Sequence, residues 1–352
     1  MPSQTLIECL DHPPVSESLE RDNPQSSSDV LYAFYELPRQ QSVGHQPDGL
    51  IQRLRLYRLP LQAALATSLI PSYMLRGRDF NIHVLDKGAP MIGSGGSANV
   101  FLYRTGRGAV AVKKFLYSKS HARKTFIKEA MFISSLRHQN VISFLGAIDN
   151  VTGFAIITPY LRNGDLPNFL RKNPSANRLK MAEGIACGLS HLKLCGVIHS
   201  DIKGTNILVN DDHVPVISDF GLAEYEGYEI GFDGRDEFTD TRYGSDAGTY
   251  RYMAPERLCP EAGKSARPTF SSDVFSFGMV LYEIYTGRIP YSESTDYQAM
   301  VLIVKGSHPV WDAQIPDQIW SLALGCWTEK PSDRLTVDEV VDYLSAFMQR
   351  KM

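Results

Sequence analysis

The sequence predicts an α+β protein in which a small β-rich lobe comes first and a larger helical lobe follows. Three observations predict this. From about Ile82 to Phe115, short β-type runs alternate with glycine-containing turns, first at Gly93 to Gly96 and then at Thr105 to Gly108. After residue 160 the composition becomes mainly helical. The 352 residues suffice for one large or two moderate domains with well-buried cores.

Composition excludes several classes. Apolar residues make up 43 % and charged residues 21 %, as in an ordinary globular protein. The net charge of -3 steers the whole chain neither to nucleic acid nor to anionic lipid, so no nucleic-acid partner is expected. The five cysteines (Cys9, Cys187, Cys195, Cys259, Cys326) contain no C-x-x-C pair, which fits a reducing compartment better than a metal site or a disulfide frame. No apolar run reaches the length of a membrane span, and Pro60 and Pro71 break the richest stretch, Leu59 to Leu75. The N-terminus has Glu8, Asp11 and Pro13-Pro14 where a signal peptide needs a basic start and an apolar run. A cytoplasmic protein is expected, with the nucleus as the alternative.

Residues 1–48 are rich in Pro, Ser, Gln and Asp and are expected to be disordered. Residues 49–85 read as a helical lead-in or linker. Leu50, Leu54, Tyr57, Leu61, Leu65 and Leu69 recur at helical steps, with Pro60 bending or splitting the helix. An adaptor or regulatory partner could dock through residues 1–80.

The first glycine-rich turn has the composition of a phosphate cradle. In Ile92-Gly93-Ser94-Gly95-Gly96-Ser97-Ala98-Asn99-Val100, glycine lets backbone N–H groups approach phosphate closely. A dinucleotide fold would place a helix directly after it. Asn99 to Tyr103 reads instead as a strand, so the turn is expected to form a hairpin lid. In the next strand, alternation places Lys113 on one face with Ala111 and Ala109, and Lys114 on the other. A flat base fits against Ala111 while the Lys113 ammonium reaches phosphate. The helix expected over Ser120 to Arg137, capped by Ser118 or Ser120, carries Glu129 on its apolar stripe with Phe126 and Ile133. A charge there needs a partner, and Lys113 is the obvious one.

A second constellation lies further on. His199-Ser200-Asp201-Ile202-Lys203-Gly204-Thr205-Asn206 precedes a short strand, and Asp219-Phe220-Gly221 follows the apolar run Val214 to Ile217. Phosphoryl transfer from ATP needs a carboxylate to orient and deprotonate the acceptor, oxygen ligands for Mg²⁺, and cations on the γ-phosphate. Asp201, Asn206, Asp219 and Lys203 cover those needs.

With these motifs in this order, and Ala254-Pro255-Glu256 after them, residues 88–348 resemble the eukaryotic protein kinase domain, in detail its tyrosine-kinase-like group. The resemblance implies a bilobal kinase fold over residues 86–348, with a small lobe at 86–158 and a large lobe at 162–348. It implies that Asp201 is the catalytic base, that Lys203 contacts the transferring phosphate, and that Asn206 and Asp219 hold Mg²⁺. Gly93, Ser94 and Gly95 would cover the phosphates, and Lys113 paired with Glu129 would fix them. Ile92, Val100, Ala111 and Leu208 would sandwich the adenine. Thr158 matches the gatekeeper, Pro159, Tyr160 and Leu161 the hinge, and Asp165 the ribose contact. Ile133, Phe144, His199 and Phe220 would form an internal spine anchored by Asp273, and Glu256 would pair with Arg334.

Two departures stand out. Ala98 replaces the family's third glycine. Ser200 replaces an arginine that binds a phosphorylated residue, so activity is expected not to depend strongly on phosphorylating Thr239, Thr241, Tyr243 or Ser245. Asp201-Ile202-Lys203 and Gly248-Thr249 resemble serine/threonine kinases, whereas Cys326-Trp327 and Pro331 to Thr336 resemble the tyrosine-specific side. Protein substrates with serine or threonine acceptors are therefore expected first, and dual or tyrosine specificity second. A scaffold without turnover is the alternative from another class, although no residue whose loss would mark one is missing.

Overall fold

The computed structural model describes residues 61, 64–65, 70, 74–75, 88–116, 122–150, 153–227, 248–260 and 266–350. The chain divides into two compact units, residues 1–72 and 73–352. In the first unit, residues 61, 64 and 65 are helical. The remainder of that helix, the segment expected to be disordered, the Ser118/Ser120 cap and the four candidate phosphorylation positions lie outside the described residues.

The second unit opens with five strands: β1 (Met91–Ser94), β2 (Ala98–Thr105), β3 (Gly108–Phe115), β4 (Gly146–Asn150) and β5 (Gly153–Pro159). They form one antiparallel sheet in the order β1-β2-β3-β5-β4. Its register creates two chemically different faces. Tyr103, Val110, Val112, Ile148, Ala155 and Ile157 cluster on one. On the other, Val100 lies opposite Lys113, and Ala111 lies opposite Thr158.

Helix α1 (Ala122–Ser135) covers part of this second face. Phe126 drives the docking: its ring lies 5.5 Å from Phe115 edge-on and stacks 5.3 Å from Phe154. Ile133 and Glu129 are buried beside it, as the apolar stripe predicts. Lys114 lies on the opposite face from Lys113, as the alternation predicts. It is buried, lies over the rings of Phe101 and Tyr103, and donates to the Tyr103 hydroxyl at 2.6 Å.

After β5 the chain is mainly helical, with α2 (Leu166–Lys172), α3 (Arg178–Leu194), α4 (Pro255–Leu258), α5 (Phe270–Thr286), α6 (Asp296–Val304), α7 (Asp317–Cys326) and α8 (Val337–Gln349). Short strands β6 (Val197–Ile198) and β9 (Glu224–Tyr225) pair, as do β7 (Ile207–Val209) and β8 (Pro215–Ile217). Helix α5 is the centre of this part. Residues 272–285 of it are all buried, and it contacts α2, α3, α7 and α8. A reciprocal capping box between Thr269 and Ser272 starts it, and Gly287 at φ 67° ends it.

The packing leaves no room at Gly278 in α5. A Cβ there would stand 2.6 Å from Trp327 Nε1 and 2.8 Å from Cys326 Cβ. Trp327 is itself held by stacking on His308 and an edge contact with Trp320. Gly278→Ala is expected to cost about 1–3 kcal/mol, a drop of several degrees in thermal midpoint, read by scanning calorimetry.

Candidate active site

The sheet and α1 bring Lys113 and Glu129 together. Lys113 Nζ donates to both Glu129 oxygens, at 2.8 and 2.9 Å, and to Asp219 Oδ1 at 2.9 Å. Burial works against the Lys113 charge, yet the two carboxylates hold its ammonium above the ordinary lysine value. Burial pushes the Glu129 carboxyl up to about 7, with Lys113 pulling the other way. Asp219 is the reverse case. Burial opposes its charge, but Lys113 prevails and holds the carboxyl down to about 2. Asp219 sits at φ 64°, a strained conformation for a non-glycine residue, and its side chain remains about half exposed, at 47 %.

The loop between β6 and β7 presents the second group. Asp201 Oδ2 lies 3.0 Å from Lys203 Nζ and accepts from Asn206 Nδ2 at 2.8 Å. Asn206 Nδ2 also reaches the Asp201 carbonyl at 2.8 Å, and Lys203 donates to Thr249 Oγ1 at 2.9 Å. Helix α5 suspends this loop at both ends. Asp273 accepts the N–H groups of His199 at 2.7 Å and Ser200 at 2.9 Å. Ten residues along the helix, Glu283 accepts from the Gly204 N–H and from the Tyr252 hydroxyl, the latter at 2.8 Å. A Cβ at position 204 would overlap Glu283 Oε2 at 2.3 Å, so glycine is required there.

Glu283 was not among the sequence candidates. Its signal was the same as that of Asp273: a carboxylate inside an apolar helix, here between Tyr282 and Ile284. Burial pushes Glu283 up to about 7, above its ordinary 4.5. The folded chain therefore holds a proton here that the unfolded chain has released. This contribution to stability is fully present below about pH 4.5 and fades as pH rises through 7. Glu283→Gln is expected to flatten the fall in denaturant midpoint between pH 5.5 and pH 8.

The other candidates take varied places. Gly93 pairs with Val100 and Ser94 with Asn99 across the β1–β2 hairpin, and the Ser94 hydroxyl bonds Asn99 Oδ1 at 2.8 Å. Neither Gly93 nor Gly95 has positive φ, and a Cβ at either would make only ordinary contacts, 3.6 Å from Val100 Cβ and from the Ala98 carbonyl oxygen respectively. Ile92 is exposed at the rim. Thr158 sits at the end of β5, Tyr160 N bonds the Ala109 carbonyl, and Leu161 follows it, half-buried. Leu208 pairs with Val216 and bridges Asp165. The Asp165 carboxylate is engaged locally: it caps α2 by accepting from Asn168 N at 2.8 Å and from Asn168 Nδ2 at 2.7 Å. His199 and Phe220 are in edge contact at 4.9 Å, with Ile133 buried and Phe144 half-buried. Arg334 forks onto Glu256 at 2.9 and 3.1 Å.

A hairpin lid, a lysine paired to a helix carboxylate and a loop of Asp, Lys and Asn therefore meet in one unit. The sequence profile described as protein tyrosine and serine/threonine kinase matches residues 89–344, well over half of the chain. The chain belongs to this family.

Three relatives show the breadth of the likeness. The kinase domain is 34 % identical over 244 residues to the putative serine/threonine-protein kinase/receptor R831 of Acanthamoeba polyphaga mimivirus, covering 67 % of this chain and 14 % of that protein. It is 29 % identical over 235 residues to serine/threonine-protein kinase STY17 of Arabidopsis thaliana, covering 64 % and 38 %. The similarity to serine/threonine-protein kinase CTR1 of the same plant is 27 % over 341 residues, covering 92 % and 40 %. The chain thus spans well under half the length of these relatives.

Among the described residues, no helix of the kinase domain is long and apolar enough to cross a membrane.

Proposed function

We propose that this chain is an ATP-dependent protein kinase that phosphorylates serine and threonine hydroxyls of protein substrates. The observation that carries the reading is the joint placement of Lys113, Glu129 and Asp219 with Asp201, Lys203 and Asn206.

Each side chain has a part in the transfer. The Lys203 and Asn206 contacts of the Asp201 carboxylate fall on Oδ2, and Oδ1 would accept the proton of the incoming hydroxyl. Lys203, steadied by Thr249, brings a cation to the phosphate in flight. Lys113, held by Glu129, does the same for the phosphates that stay behind. The adenine would lie between Val100 and Ala111 above and Leu208 below, with Ile92 at the rim and Thr158, Tyr160 and Leu161 along its edge. Gly93, Ser94 and Gly95 would close over the phosphates, and Asp165 would meet the ribose at the start of α2.

The donor set fits Mg²⁺. Asp219 is anionic, and both bonds of Asn206 use its amide nitrogen, leaving the carbonyl oxygen as a hard ligand. When bound, Mg²⁺ would neutralise charge on the phosphate oxygens. The lysine two after the base, and the serine/threonine kinases among the relatives, favour hydroxyls of serine and threonine over tyrosine.

On this reading the catalytic domain spans residues 86–348, with lobes at 86–158 and 162–348. Residues 1–48 and the lead-in at 49–85 would carry adaptor or regulatory contacts. The cysteines Cys187, Cys259 and Cys326 are free thiols, which suits the cytoplasm or nucleus. The test is transfer of labelled phosphate from Mg-ATP to generic protein substrates, followed by phosphoamino-acid analysis. Labelled serine and threonine are expected. Labelled tyrosine alone would overturn the specificity, and binding of ATP without any transfer would overturn the activity.

A further inference from the structure

We infer that Arg257 is a positioning residue for the catalytic base: its guanidinium holds the carbonyl of Ser200 and so fixes the turn from which Asp201 projects. The functional half of this inference rests on the proposed kinase activity.

Ser200 adopts φ 74°, a conformation that only glycine reaches without cost. Something must hold it there. Its own side chain does not, because Ser200 Oγ is buried and has no hydrogen-bond partner among the described residues. On the N–H side Asp273 grips both His199 and Ser200. On the carbonyl side the grip is Arg257 Nη1, 2.7 Å away in a buried, charge-assisted hydrogen bond.

The peptide whose carbonyl Arg257 holds is the one that leads directly into Asp201. Its orientation sets where the Asp201 side chain points, and hence the contacts with Lys203 at 3.0 Å and Asn206 at 2.8 Å. Without Arg257 a buried carbonyl loses its donor, and the turn is free to relax to negative φ. Arg257 is itself buried at 9 % exposure and is well placed to act as a fixed point. It follows Glu256, which Arg334 anchors with two bonds. The end of the segment before α5 is thereby tied to the base through one guanidinium.

The experiment compares full-length wild type with Arg257→Met, Arg257→Lys and the double variant Arg257→Met/Ser200→Gly. Two readouts are used, steady-state phosphoryl transfer and hydrogen exchange at the amides of residues 199–201. Arg257→Met is expected to lower kcat by about tenfold, the scale of losing one hold on a strained turn. The KM for ATP should stay within about twofold, since the bond lost is the one to the Ser200 carbonyl, in the loop that bears Asp201. Exchange at residues 199–201 should quicken. Ser200→Gly in the same chain should recover most of the rate and the protection, because glycine adopts this φ unaided. Arg257→Lys should retain part of both, and it carries the same comparison with Ser200→Gly if the methionine variant does not fold.

An unchanged kcat would overturn the inference. So would a loss that Ser200→Gly leaves untouched while the thermal midpoint collapses, which is the mark of a purely structural role. If the wild type transfers no phosphate, the kinase reading falls. Exchange at residues 199–201 then still decides whether Arg257 holds the turn, and unchanged protection in Arg257→Met counts against it.

Discussion

Asp201→Asn lowers kcat by about 10²- to 10⁴-fold, the range for removing a general base. The fold should survive this change. The amide that replaces the carboxylate keeps a carbonyl oxygen where Lys203 and Asn206 now donate, at 3.0 and 2.8 Å. What disappears is the proton acceptor. The thermal midpoint and the affinity for ATP are therefore expected to stay close to wild type while turnover collapses. Quench-flow with calorimetric ATP titration separates the two. A variant that still turns over at a tenth of the wild-type rate would show that Asp201 only orients the hydroxyl.

The second large effect is at Lys113. Lys113→Met removes the cation shared by Glu129 and Asp219. Loss of such an electrostatic stabiliser costs about 10²- to 10³-fold in kcat/KM. Two carboxylates are also left facing one another, and Glu129, already pushed up by burial, is the one that takes a proton. This relief is why the variant is expected to remain folded. Lys113→Arg should not restore activity. A planar fork cannot place one compact charge against both carboxylates, which a lysine ammonium does. Kinetics of the two variants, beside their melting curves, check both statements.

Much of this site could be read along the chain because its chemistry is written in short stretches. Lys113 alternates with Ala109 and Ala111 on a strand, and the structure keeps them on one sheet face. Glu129 is the single acid in its helix, so its partner followed from elimination, and the bond is present. Asp273 was suspect as a charge in an apolar helix, and it proved to hold His199 and Ser200.

What could not be read depends on contacts between distant residues. Lys114 looks like a surface lysine until the register sets it beside Phe101 and Tyr103. Arg257 lies 57 positions from Ser200, and nothing in the local text of either announces the bond. Asp165 carries a helix cap that its motif position does not suggest. Such facts belong to tertiary packing, which no window of neighbouring residues contains.

The two carboxylates of α5 have a mechanical consequence. Asp273 and Glu283 are ten residues apart on one helix, about 15 Å along its axis. One holds the beginning of the loop that carries Asp201, and the other holds the Gly204 N–H near its end. The loop is thus strung like a bridge between two piers sunk in the same rock. The β1–β2 hairpin and Lys113 lie on a sheet with its own core, and Lys113 reaches across to Asp219 at 2.9 Å. On the proposed reading, an acceptor hydroxyl would meet a carboxylate already at its post.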